Sequence, residues 1–119
     1  MKLFSRWFRR APPKLSWMEP AALAALLERH DAPLILDVRG PDEFTGPLGH
    51  IIEATNVPLA ELPAHLPDLV HQNRPVVAVC KTDRRSSMAA QELHEAGLSD
   101  VSVLRGGMER WRVLGLPAS

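Results

Sequence analysis

Short apolar runs alternating with stretches of helix formers predict an α/β protein, with a parallel sheet covered by helices on both faces. Two observations carry this. Residues 34–38 (LILDV) and 75–79 (PVVAV) are almost continuously apolar, as strands buried on both sides are. Helical patterns follow in turn, so the chain reads strand, helix, strand, helix, the order that needs crossover connections and a parallel sheet.

The elements follow in sequence order. Pro20 suits the first turn of a helix, and residues 21–30 are a run of Ala, Leu, Glu and Arg with an apolar face. Residues 34–38 are the first buried strand. Residues 40–49, rich in Gly and Pro, are expected to be loop. A weaker strand falls within 51–57. A short helix over 59–66 is limited by Pro63. Residues 75–79 form the next buried strand, and 86–96 a strong helix closed by Gly97 in a C-cap position. The last strand is 101–104 and the last helix 107–114, ended by Gly115 and Pro117. Residues 1–14 form a separate basic, aromatic arm, and residues 15–119 a single domain.

The 119 residues are 45% apolar and 24% charged, the composition of a soluble globular domain. No apolar run approaches the roughly 20 residues a bilayer requires. The chain is formally neutral, but five of its 14 bases precede the first acid, Glu19. That leaves nine bases against all 14 acids, a body of about −5 carrying a basic arm. Basic charge does not spread over the body, so nucleic acid is not an expected partner. One cysteine makes no internal disulfide and suits a reducing cytoplasm. The basic N-terminus lacks the apolar stretch and cleavage site of a secretion signal. In the arm, Leu3, Phe4, Trp7 and Phe8 share one helical face between Lys2, Arg6, Arg9 and Arg10, and Pro12-Pro13 stops any helix. It reads either as a disordered end or, through residues 1–10, as a weak membrane-surface or partner-docking element.

The informative stretch is PVVAVCKTDRRSSMAA, residues 75–90. Cys80 directly follows an apolar strand, and a helix begins about six residues later. Ligands of open parallel sheets bind at such carboxyl ends. A helix N-terminus presents free amides and partial positive charge. With Lys81, Arg84 and Arg85 alongside, this favours the thiolate and predicts a depressed Cys80 pKa. The competing reading is that Cys80, like most free cysteines, only ends the core. Three cations within five residues and an imminent helix argue for chemistry.

Ordered short motifs surround this loop. LDVR at 36–39 precedes Asp42-Glu43-Phe44, and Gly49-His50-Ile51 precedes Ala54 and Asn56-Val57-Pro58. Arg105-Gly106-Gly107-Met108 precedes Trp111, and Gly115-Leu116-Pro117 closes the set. With Cys80, four variable residues, Arg85 and Ser86, the series resembles the rhodanese family across roughly residues 15–117. Related phosphatases of the Cdc25 type carry five residues between cysteine and arginine, which makes room for phosphate; only four stand here, and Val79 replaces the histidine that often precedes their cysteine.

The resemblance implies a three-layer rhodanese-like fold, a five-stranded parallel sheet with helices on both faces. It implies a sulfurtransferase in which Cys80 attacks the outer sulfur of a donor such as thiosulfate and becomes a persulfide. A thiol, cyanide or carrier-protein acceptor then takes that sulfur. The amides of the substrate-binding loop, Lys81, Thr82, Asp83, Arg84, Arg85 and Ser86, would hold the outer sulfur. Three loop cations opposed only by Asp83 favour thiosulfate over mercaptopyruvate. A non-catalytic docking module on the same fold is the alternative, and a phosphatase a more distant one.

Other residues read as structural. Asp37 and Arg39 flank Val38 and point the same way under period-two alternation, which suits an ion pair. Glu43 and Arg105 suit similar braces, His50 a structural position, and Trp111 the core. Five histidines without ligand spacing and a single cysteine predict no metal, and no cofactor is expected.

Overall fold

The computed structural model describes residues 15–119; the N-terminal arm lies outside them. Five parallel strands form one sheet in the order β1-β5-β4-β2-β3. They are β1 (Ser16–Met18), β2 (Leu34–Asp37), β3 (Thr55–Asn56), β4 (Val76–Val79) and β5 (Val101–Leu104). The helices are α1 (Pro20–Glu28), α2 (Pro41–Phe44), α3 (Leu62–Gln72), α4 (Arg84–Glu95) and α5 (Gly107–Val113), with a 3-10 turn (Leu59–Glu61) leading into α3. No helix among the described residues is long and apolar enough to cross a membrane.

Strand β4 is central, pairing with β2 and β5, and every one of its residues is buried. Period-two alternation divides it between two cores. Val76, Ala78 and Cys80 join Leu36, Val38 and Val103 beneath Leu62 and Leu69 of α3 and Ala89, Ala90 and Leu93 of α4. Val77 and Val79 join Ile35 and Leu104 beneath Leu23 of α1 and Met108 and Trp111 of α5. Both faces are therefore dry, which is why the sequence of β4 carries no polar alternation.

The expected helices and buried strands appear with shifts of one or two residues, and α4 ends as its glycine predicts. Gly97 sits at φ +120°, the Leu98 amide donates to the Leu93 carbonyl and the Gly97 amide to that of His94. This is a Schellman closure.

Four places differ. Edge strand β1 has three residues, largely exposed, and pairs only with β5, too short for any periodicity to mark it. The 51–57 strand shrinks to Thr55–Asn56, because Ile51 turns away to bridge Ala118 of the C-terminal tail in antiparallel fashion. The 40–49 segment is not all loop: Pro41 opens a single helical turn, and the Glu43 carboxylate accepts from the Gly40 amide at its start. Helix α3 runs to Gln72 because Pro63 occupies its first turn, where no amide donor is needed; Pro67 is carried inside it.

Candidate active site

At the carboxyl end of β4 the chain turns into residues 80–86 and then α4. The thiol of Cys80 is at the floor of this loop, 1% exposed. Its Sγ stands 3.2 Å from Ser86 Oγ, itself buried on the first turn of α4.

The loop is held from outside by α5. The Met108 amide donates to the Cys80 carbonyl (2.9 Å) and the Glu109 amide to that of Lys81 (3.0 Å). A trans peptide carries its N–H opposite its C=O, so the Lys81 and Thr82 amides face the other way, into the loop. No amide of residues 81–86 donates to a backbone carbonyl among the described residues. The close approach depends on Gly107. Its φ is +58°, and a Cβ there would lie 2.0 Å from the Thr82 carbonyl oxygen and 2.5 Å from that of Cys80. Only glycine tolerates both the conformation and the contact.

Two ion pairs brace the rim. Asp37 and Arg39 are both sealed from solvent. Arg39 grips Asp37 through Nε to Oδ1 (3.0 Å) and Nη2 to Oδ2 (2.8 Å). It then spans the 40–49 segment by donating to the carbonyls of Glu43 (3.2 Å) and Gly49 (2.7 Å). Burying a guanidinium requires such full satisfaction. Asn56 Nδ2 donates to the carbonyls of Asp37 and Arg39, closing the end of β2. The second pair links this segment to the loop: Arg85 Nη1 and Nη2 meet Glu43 Oε1 and Oε2 at 2.7 and 2.9 Å. This bidentate bond holds the Glu43 carboxyl down at about 2, and Glu43 in turn keeps Arg85 charged.

The loop side chains therefore divide. Cys80 and Ser86 come together at the floor. Arg85 is engaged by Glu43. Lys81, Thr82 and Arg84 are exposed and Asp83 half-buried; Lys81 and Arg84 make no ion pair among the described residues. Beside the loop opens a cleft of about 390 Å³, lined by Arg39, Glu43, Pro47, Leu48, Lys81 and Glu109. The loop charge is thus less one-sided than the sequence suggests, since Glu43 and Glu109 join Asp83 against the cations. Two somewhat smaller indentations at the amino ends of the strands, around His30 and Arg74, lie at the opposite edge from Cys80.

His50 is a brace: Nδ1 donates to the Phe44 carbonyl (2.8 Å) and its ring stacks on that of Phe44. Trp111 is core, its indole N–H donating to the Pro117 carbonyl. Arg105 pairs with Glu19 and lies over Trp17. Among the described residues no three His, Cys, Asp or Glu side chains gather where they could share a metal ion. Sequence reasoning missed the Glu43–Arg85 link, the Gly107 contact and the Cys80–Ser86 pair. The glycine pair after Arg105 was the one visible signal, since adjacent glycines mark a close backbone approach.

The sequence pattern of rhodanese-like domains matches residues 19–113. The chain belongs to the rhodanese-like domain family. A thiosulfate sulfurtransferase GlpE of Stutzerimonas stutzeri is 32% identical over 107 residues, 88% of this rhodanese-like chain and 85% of that protein. An uncharacterized protein of Synechocystis, slr1261, is 38% identical over 92 residues, 76% of this chain but 49% of its own length. The chain thus spans only about half of that relative. Among solved structures, a Rhodopseudomonas palustris protein of unknown function, described as a "possible tyrosine phosphatase", superposes with a TM-score of 0.81 at 25% identity, covering 88% of this chain and 85% of that one.

Proposed function

We propose that this rhodanese-like chain is a sulfurtransferase that carries sulfane sulfur on Cys80. The observation that supports it best is the loop of residues 80–86: a thiol at the floor, carbonyls tied outward to α5, and amides left without backbone acceptors. Inward amides suit an anionic sulfur attached to the thiol, as backbone nests suit anions generally. The relatedness to a thiosulfate sulfurtransferase points the same way.

In this reading the Cys80 thiolate attacks the outer sulfur of thiosulfate. The sulfur–sulfur bond breaks, its electron pair leaves with sulfite, and Cys80 holds a persulfide whose outer sulfur lies among the loop amides. A thiol, cyanide or a carrier protein then attacks that outer sulfur and returns the Cys80 thiolate. The acceptor approaches through the cleft beside Lys81 and Glu109. Lys81 and Arg84, free of ion pairs among the described residues, favour a dianionic donor over mercaptopyruvate. We place the reaction in the cytoplasm, with the arm of residues 1–10 as a separate docking element.

The test is the intact mass of the reduced protein after thiosulfate and desalting. A gain of one sulfur atom, reversed by dithiothreitol and absent in Cys80→Ser, supports the carrier. No adduct on a Cys80 that remains open to alkylation overturns thiosulfate as donor and favours the docking module. The likeness to a "possible tyrosine phosphatase" gives a second reading, which hydrolysis of an aryl phosphate would favour.

A further inference from the structure

We propose that Ser86 is a positioning residue for Cys80, its hydroxyl donating a hydrogen bond that holds and stabilises the sulfur as thiolate. This rests on the reading of Cys80 as a nucleophile, and assigns Ser86 a role toward the cysteine instead of toward the donor.

Two adjacent serines make the case by contrast. Ser87 spends its hydroxyl on the local backbone, donating to the Asp83 carbonyl four residues earlier (2.5 Å), as serines in helices commonly do. Ser86 does not. It lies on the buried face of α4 with Ala89, Ala90 and Leu93, and the hydroxyl's one side-chain partner is Cys80 Sγ at 3.2 Å. A buried hydroxyl needs a partner, and this one has a sulfur. Once Cys80 is ionised, the only proton between the two atoms is on Ser86, so the direction of donation is fixed. Hydrogen bonds to charged acceptors are the stronger class. The bond also fixes the side-chain rotamer of Cys80, aiming Sγ at the inside of a loop whose backbone α5 already holds.

Other charges near the sulfur do not change with Ser86. They are Lys81, Asp83, Arg84 and Arg85 on the loop and α4, Asp37, Arg39 and Glu43 from β2 and the segment after it, and Glu109 on α5. A comparison of Ser86 variants therefore isolates the hydroxyl.

The experiment measures the rate of Cys80 alkylation by iodoacetamide at pH 6 and pH 9 in the wild type, Ser86→Ala and Ser86→Thr. Alanine is a good helix former, and circular dichroism checks that the fold is kept. At pH 6, Ser86→Ala is expected to react about tenfold more slowly, the size of one charge-assisted hydrogen bond. At pH 9, above the ordinary range of a free thiol, the deficit is expected to close to within about twofold, and Ser86→Thr to recover most of the rate at pH 6. An alanine variant that loses nothing, or loses equally at both pH values, overturns the proposal, the latter marking a packing role alone. A wild-type Cys80 inert at both pH values overturns it together with the reading of Cys80 as nucleophile. Because iodoacetamide replaces the sulfur donor, failure of thiosulfate to form a persulfide leaves this result independent.

Discussion

The two ends of the sheet are built differently. At the carboxyl ends of β2 and β4 lie all the buried polar side chains among the described residues: Asp37, Arg39 and Ser86. At the amino ends, around Leu34 and Val76, the polar neighbours His30, Asp31, Arg74 and Asp100 are all exposed. Burying charge is costly unless every donor is satisfied. The molecule accepts that cost only around the cysteine loop, where a fixed backbone matters, and leaves the other end to water.

Substitutions can break or sharpen that contrast. The largest effect is on chemistry: Cys80→Ser is expected to abolish persulfide formation while keeping the circular dichroism spectrum, read by intact mass after thiosulfate. Next, Arg39→Ala strands the Asp37 carboxylate in a dry site and frees the carbonyls of Glu43 and Gly49. Urea denaturation should show a loss of about 3–5 kcal/mol. A loss under about 1 kcal/mol would mean that water reaches this end too.

Gly107→Ala forces a side chain into a left-handed conformation against the Thr82 and Cys80 carbonyls. It should cost about 1–3 kcal/mol and lower sulfur transfer more than stability alone explains, because the loop must shift. Glu43→Gln is smaller. The pair it breaks is 36% and 38% exposed, so solvent screening keeps its worth below about 1 kcal/mol. The sign follows from the depressed Glu43 pKa. The pair's contribution is full above the ordinary carboxyl range and fades as pH falls from about 4.5 towards 2. Thermal melts of Glu43→Gln and wild type should therefore converge on acidification through that window. Smallest of all, Arg74→Ala at the amino end should stay within about 0.5 kcal/mol and leave transfer unchanged. An Arg74→Ala as damaging as Arg39→Ala would erase the distinction between the two ends.

The same asymmetry explains what the sequence disclosed. Elements defined by local pattern were legible: β2, β4 and β5 through apolar runs, α1 and α4 through helix formers, and the end of α4 through Gly97. Edge elements were not, because β1 and β3 hold three and two residues, and their existence depends on the neighbour they pair with. Proline misled at α3, where Pro63 starts the helix instead of limiting it. At the site, Asp37 and Arg39 were legible because they flank Val38, two residues apart at the end of β2. Glu43 and Arg85 are 42 apart, and their meeting depends on how the 40–49 segment folds over the loop. The Ser86 hydroxyl was visible as a residue but not as a partner of sulfur, since that depends on the helical phase of α4.

The outward tethering of the loop by α5 has a thermodynamic consequence. The Cys80 and Lys81 carbonyls find their donors as the chain folds, so the conformational entropy of aiming the amides is lost once, during folding, and not again at each encounter. On the proposed sulfur-carrying role, an anionic sulfur would meet a cavity with no ordering left to do, as electrostatic preorganisation requires. Sulfur capture should then resemble the docking of a rigid ion into a rigid cradle, with amide-exchange protection of residues 81–86 changing on binding while the rest of the backbone stays as it was.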